Sequence, residues 1–416
     1  MLKYQTHQLN NGLKLITAPI STTEAVTILI LVKIGGRYEK IEQQGISHFL
    51  EHVFFKGTKN RPTAYDLAKE LDSLGANYNA FTSDEFTGFY IQSDANDFEK
   101  SLELLSDLFL NPIFPEEEIE REKGVILEEA NMRRDVPQAH VQILNQRQMF
   151  PSISLGRDLV GTPDTIKDAT REDLVEYFKS GYSPDSTLVV ICGNPKNNDL
   201  TKSIEKYFKM EKSNYSPVID PYKPETIEKL VQEVRKVDQT HFVQSYLTFP
   251  RSDPRRYALS LLSIILSGGM SSRLFTEIRE KRGWAYYVKS DTASYLDIGI
   301  FSIYAGVQKD KLNDSIKIIQ DQVADIQKNG PTEDELERAK SNLRGHLALA
   351  LEDSFEIASF LAEESVYESK IRQPEEIIEN LNKVTKEEIK TLSQEIFKSD
   401  RMGLAIVGPK EYKVSL

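Results

Sequence analysis

The sequence predicts an α+β protein made of two homologous halves, and three observations lead there. Short β-branched runs bounded by turn formers alternate with longer segments of helical period. A stretch near 210–230 carries Pro217, Pro221 and Pro224 and reads as an extended linker. Motifs on the two sides of that linker echo one another in the same order. The expected division is an N-terminal half at 1–210, a linker at 211–230 that contains Ser213-Asn214-Tyr215-Ser216-Pro217, and a C-terminal half at 231–416.

Each element has its own local signal. Leu13 to Ile20 and Ala25 to Ile34 read as strands, preceded by a hairpin turn at Asn10-Asn11-Gly12. Gln43 to Phe55 has a helical pattern and stops before Gly57, a residue type common just past a helix end. Thr63-Ala64-Tyr65-Asp66 resembles a capping box, and Leu67, Leu71 and Leu74 continue at helical spacing. Tyr78 to Thr82 and Phe86 to Ile91 read as paired strands, and Phe98, Leu102, Leu105 and Phe109 mark the next helix. Pro115 suits the first turn of a long helix reaching about Arg134.

The echoes start from that helix. Pro115-Glu116-Glu117-Glu118 recurs as Pro331-Thr332-Glu333-Asp334, and Thr170-Arg171-Glu172-Asp173 as Thr385-Lys386-Glu387-Glu388. Phe178-Lys179-Ser180, a β-run and Gly193 recur as Phe397-Lys398-Ser399, a β-run and Gly408. The separations are 215 to 219 residues, too long for a solenoid and suited to a duplicated α+β unit.

Composition narrows the function classes. Hydrophobic residues make up 39% and charged residues 28%, as in ordinary globular proteins. A net charge of −12 speaks against general nucleic-acid or anionic-membrane binding and favours basic ligands. The most apolar stretch, Ala25 to Val32, is far shorter than the ~20 residues of a membrane-spanning helix. The polar start Lys3-Tyr4-Gln5-Thr6-His7 lacks the pattern of a signal peptide. The single Cys192, inside a β-run, reads as a buried strand residue, and a cytoplasmic location is expected.

The strongest chemical signal is His48-Phe49-Leu50-Glu51-His52. Residues four apart share a helix face, so His48 and His52 can offer two imidazoles to one cation, with Glu51 beside that face as general base. This His-x-x-Glu-His order is the inverted zincin motif. Zinc suits imidazole and carboxylate donors, and a catalytic site takes three protein ligands. Glu122 and Glu129 are seven apart on the long helix and share a face, so either could be the third ligand; Glu128 points about 100° away. Of the other histidines, His7 and His140 read as surface residues and His241 as a hydrogen-bonded strand residue.

These residues carry a family resemblance. Gly45-Ile46-Ser47-His48-Phe49-Leu50-Glu51-His52-Val53-Phe54-Phe55-Lys56-Gly57-Thr58 resembles the signature of the M16 metallopeptidases, or inverzincins, which include mitochondrial processing peptidase, pitrilysin and insulin-degrading enzyme. The family's spacing of 76 residues between second histidine and third ligand lands on Glu129, and its supporting glutamate lands on Glu122. Asn79-Ala80-Phe81-Thr82 resembles the family's edge strand, which implies that Asn79, Ala80 and Phe81 bind substrate by β-addition. Ser267-Gly268-Gly269-Met270-Ser271 resembles its glycine-containing loop. Arg279 and Tyr286 match the spacing of the Arg/Tyr pair that stabilises or positions the substrate carbonyl.

The resemblance covers essentially the whole chain, and the length matches the small, processing-peptidase-like subfamily. It implies two α/β-sandwich halves, each a mixed, mostly antiparallel sheet with helices packed on it, closing like a clam around a peptide chamber. It also implies a zinc endopeptidase. Because one chain carries both the metal set and the Arg/Tyr pair, a homodimer or self-sufficient monomer is favoured. Alignment of the repeats sets Ala339 against Glu122 and His346 against Glu129, and no His-x-x-Glu-His follows residue 210. One Zn²⁺ per chain is therefore expected, with His346 structural. Peptides are the expected substrates, basic ones on the acidic balance. The competing reading is a non-catalytic peptide-binding or assembly subunit.

Overall fold

The computed structural model describes residues 2–197, 199–212, 218–368 and 370–415. The Ser213 to Pro217 part of the expected linker lies outside the described residues. In chain order the first elements are β1 (Gln5–Gln8), β2 (Lys14–Pro19), β3 (Ala25–Val32), α1 (Ile46–Phe54), α2 (Ala64–Ser73), β4 (Asn77–Thr82), β5 (Thr87–Asp94), α3 (Phe98–Leu110) and α4 (Glu116–Asp135). Next come α5 (Pro137–Met149), α6 (Pro163–Asp168), α7 (Arg171–Gly181), β6 (Thr187–Gly193) and α8 (Leu200–Tyr207). The rest are β7 (Leu230–Val234), β8 (Gln239–Thr248), α9 (Arg256–Ser267), β9 (Ala285–Ser294), β10 (Gly299–Gln308), α10 (Leu312–Asn329), α11 (Glu333–Ala350), α12 (Ser354–Tyr367), α13 (Pro374–Lys383), α14 (Lys386–Ile396) and β11 (Met402–Gly408).

The strands form two mixed sheets, ordered β1-β2-β6-β3-β5-β4 and β7-β11-β8-β10-β9. In each sheet one pair is parallel, β2 with β6 and β7 with β11, and the remaining pairs are antiparallel. Laying β6 on β11 brings β2, β3, β5 and β4 onto β7, β8, β10 and β9, so the second sheet repeats five strands of the first. The repeated capping boxes keep their places too. Thr170 and Asp173 close the start of α7, and Thr385 and Glu388 close the start of α14.

The first unit comprises 1–130, 157–220 and 349–372. Its sheet is apolar on both faces, because each face is covered by helices. Val26, Ile28, Ile30 and Val32 of β3 turn to a core shared with α1, α3 and α7. Leu29 and Leu31 turn to the other face, where Ile357, Ala358, Leu361 and Ala362 of α12 cover them together with Cys192. The second unit comprises 131–156, 221–348 and 373–416. There Phe301, Ile303 and Ala305 of β10 pack with α9, α10 and α14, and Val141 of α5 lies on Val243, Ala405 and Val407.

The units differ from two contiguous halves by an exchange. Helix α5, N-terminal in sequence, belongs to the second unit, and α12, C-terminal in sequence, belongs to the first. Each lies on the matching strand pair, α5 on β8 and β11, α12 on β3 and β6. Two of the five unit boundaries fall inside helices, after Ala130 in α4 and after Ala348 in α11. Among the described residues no helix is long and apolar enough to cross a membrane.

Candidate metal centre

Helix α1 starts later than its apolar pattern suggests. Gly45 sits at the N-cap with φ 91°, and a Cβ there would meet the Val160 carbonyl oxygen at 2.5 Å. Gly45 has no side chain to cap the helix, so Glu39 does it. Its Oε2 accepts from the Gly45 N–H at 2.7 Å and its Oε1 from the Ser47 N–H at 2.8 Å. Burial pushes the Glu39 carboxyl up to about 7, against the pull of those two N–H groups. Ile46, Phe49, Leu50, Val53 and Phe54 of α1 enter the core. That packing fixes which way the His48–His52 stripe faces.

The stripe meets α4. Ile119, Ile126 and Ala130 anchor α4 in the core, and Glu122 is buried with them. Glu129 Oε2 lies 3.5 Å from both His48 Nε2 and His52 Nε2. Glu122 Oε2 lies 3.0 Å from His52 Nδ1, and Glu122 Oε1 pairs with Lys56 Nζ at 2.6 Å. The two glutamates that spacing left open therefore face different nitrogens, and Glu128 turns outward. The ligand atoms of His48, His52 and Glu129 all lie within 4.8 Å of one another. Two imidazole nitrogens and one carboxylate oxygen form a donor set that suits zinc. Among the described residues no other group of three such side chains converges this way.

Glu51 stands beside this set, with Oε2 accepting a hydrogen bond from Thr82 Oγ1 at 2.6 Å. Burial raises its pKa; the Thr82 hydrogen bond and the His52 charge oppose this, and Glu129 adds to it. For His52, burial acts to lower the pKa, but hydrogen bonds and charge from Glu129 and Glu122 outweigh it and raise the value. Thr82 ends β4, an edge strand whose one neighbour is β5. Tyr78, Ala80 and Thr82 alternate onto the α1 side, while Asn77, Asn79 and Phe81 face away. Phe81 lies across Gly88 of β5, where a Cβ would meet its ring at 2.1 Å. Asn79 Oδ1 accepts from the Ala80 N–H at 2.9 Å.

The Arg/Tyr pair lies in the second unit. Arg279 sits in a π-helical turn, Phe275–Glu280, and its Nη1 donates to the Tyr286 carbonyl oxygen at 2.6 Å. Its guanidinium lies 5.2 Å from the Tyr286 ring centroid, and Tyr286 is 74% exposed. His346 is exposed and Ala339 is buried. His241 bonds Tyr287 Oη through Nδ1 at 2.8 Å within the sheet. His140 corrects its surface assignment: it is 6% exposed, with Nε2 2.7 Å from Glu233 Oε2. Its helix packs onto β8 and β11, which carries the ring inward.

Three contacts escaped the sequence reading. Lys56, four residues after His52, holds Glu122. Thr82 holds Glu51, and strand alternation from Ala80 was the available signal. Arg37 and Glu85 form an ion pair at 2.6 Å with both side chains at 0% exposure, tying the β3–α1 loop to the β4–β5 turn. No local pattern announces that pair.

A two-sheet α/β chain with this inverted zincin cluster has the form of a zinc-hydrolase family, and comparison with known proteins specifies which. The profile described as Insulinase (Peptidase family M16) matches residues 14–163, and Peptidase M16 inactive domain matches residues 168–343. The chain belongs to the M16 peptidase family. All of His48, Glu51, His52, Glu122 and Glu129 fall within the first match. The chain is 33% identical over 410 residues to YmxG of Bacillus subtilis, an uncharacterized zinc protease, covering 98% of each. It is 30% identical over 412 residues to a Streptomyces coelicolor protein of the same description, covering 97% of this chain and 89% of the other. Two solved structures share the fold, each with a TM-score of 0.91. A protease from Helicobacter pylori has 23% identity and covers 98% of this chain and 100% of its own. A peptidase M16 inactive domain from Pseudomonas fluorescens has 21% identity and covers 100% of both.

Proposed function

We propose that this chain is a zinc-dependent endopeptidase that hydrolyses peptides or unfolded precursor segments. The observation that carries the reading is the convergence of His48, His52 and Glu129 within 4.8 Å, with the Glu51 carboxylate alongside. The zinc-protease descriptions of its relatives support it. Zinc held by those three side chains would supply Lewis acidity, acidifying a water and polarising the scissile carbonyl. Glu51 takes the proton of the attacking water and returns it to the leaving amine; its raised pKa suits a group that must accept and release a proton. Glu122 holds His52 by Nδ1, which turns Nε2 toward Glu129. Arg279 and Tyr286 are assigned to the substrate carbonyl oxygen on the family resemblance. One zinc per chain, a homodimer and enclosure of the peptide in a chamber belong to the same proposal.

The test is hydrolysis of a peptide library by the wild type and by Glu51→Gln, with zinc measured on the same samples. The reading predicts about one zinc in each and hydrolysis in the wild type alone. Zinc without hydrolysis in either would favour a non-catalytic peptide-binding subunit.

A further inference from the structure

Strand β4 and the Glu51 carboxylate are joined by more than proximity. The Thr82 hydroxyl donates to Glu51 Oε2 at 2.6 Å from the face of β4 that turns to α1. The general-base carboxylate is therefore tied to the last residue of the edge strand itself. Two residues earlier, the Ala80 N–H is taken by the flexible side chain of Asn79 at 2.9 Å. A peptide strand laid along this edge would replace Asn79 at Ala80 and run toward the Thr82–Glu51 contact.

The far side of Thr82 is rigid. The Ser83 N–H donates to the Phe86 carbonyl at 2.8 Å, closing the turn. The Gly36 and Arg37 N–H groups donate to the Ser83 and Asp84 carbonyls at 3.2 and 2.7 Å. The buried Arg37–Glu85 pair locks the same turn. Thr82 thus sits between a clamped turn and an open strand edge.

We propose that Thr82 is a positioning residue that couples strand addition on β4 to the orientation of the general base Glu51. Peptide pairing along Asn79 to Phe81 stiffens β4, and the Thr82 hydroxyl passes that order to the carboxylate. Binding contacts remote from the cut bond are then expressed in turnover and not only in affinity. This rests on the peptidase reading, and the experiment separates the two.

A series of fluorogenic peptides extended stepwise on one side of the cut is turned over by wild type, Thr82→Val and Thr82→Ser. Zinc content and the affinity of each peptide for the corresponding Glu51→Gln double variant are measured in parallel. In the wild type kcat is expected to rise with length. In Thr82→Val kcat for the longest peptide is expected to fall about 10–100-fold, the loss of one hydrogen bond to a charged group. Its kcat is expected to be flat with length while affinity still rises. Thr82→Ser is expected to regain the length dependence. A Thr82→Val enzyme that keeps the wild-type kcat gradient, or a Thr82→Ser enzyme as impaired as Thr82→Val at full zinc content, overturns the proposal. Absence of hydrolysis by the wild type would instead remove the peptidase reading beneath it.

Discussion

Glu39 makes α1 sensitive to pH at its first turn. Its carboxyl is fully buried, accepts the Gly45 and Ser47 N–H groups, and is pushed from 4.5 to about 7 by desolvation. The folded chain therefore binds this proton more tightly than the unfolded chain does. The contribution is fully present below about pH 4.5 and is lost as pH rises through about 7. At about 1.4 kcal/mol per pH unit, the change across that window is about 3 kcal/mol. Glu39→Gln keeps an acceptor oxygen and cannot ionise. The assay is urea unfolding of metal-free wild type and Glu39→Gln at a series of pH values, so that proton release on metal binding plays no part. The stability difference between the two proteins is expected to move by about 3 kcal/mol against the wild type from pH 4.5 to about 8. Curves that stay parallel across that range would refute the reasoning.

Other expectations follow from the same contacts. Glu122→Gln weakens the hold on His52 Nδ1 and is expected to lower zinc affinity by about 10–100-fold, measured by chelator competition. Glu85→Ala removes the buried carboxylate that pairs with Arg37 at 2.6 Å and is expected to cost about 3–5 kcal/mol in urea unfolding. Tyr286→Phe, at an exposed site, is expected to leave stability within about 0.5 kcal/mol and to lower kcat; unchanged turnover would remove its assigned role at the substrate carbonyl.

The sequence revealed most where chemistry and periodicity coincide locally. His48, Glu51 and His52 lie within one helical turn and a half, so their shared face follows from helix geometry alone. The repeat was legible because capping boxes and strand-ending glycines are short motifs whose backbone demands recur in both copies. The choice between Glu122 and Glu129 was not legible from spacing, because both lie on the face that meets α1; only their heights along α4 decide which nitrogen each reaches. The exchange of α5 and α12 was hidden for a related reason. An apolar helix face states that it will be buried but not under which sheet, and the two sheets are built alike. His140 was misplaced by the same gap, since its partner Glu233 is 93 residues away. Helix α1 begins at Ile46 and not at Gln43 because the cap comes from Glu39, outside the helical pattern.

Peptide hydrolysis by this chain is expected to depend on a metal held by His48, His52 and Glu129. The most direct measurement is titration of metal-free protein with zinc, following cleavage of an unstructured peptide at each addition. Activity is predicted to rise linearly to about one equivalent per chain and then level, and to stay absent in His48→Ala over the same range. Full cleavage by metal-free protein, or equal recovery in His48→Ala, would contradict the account.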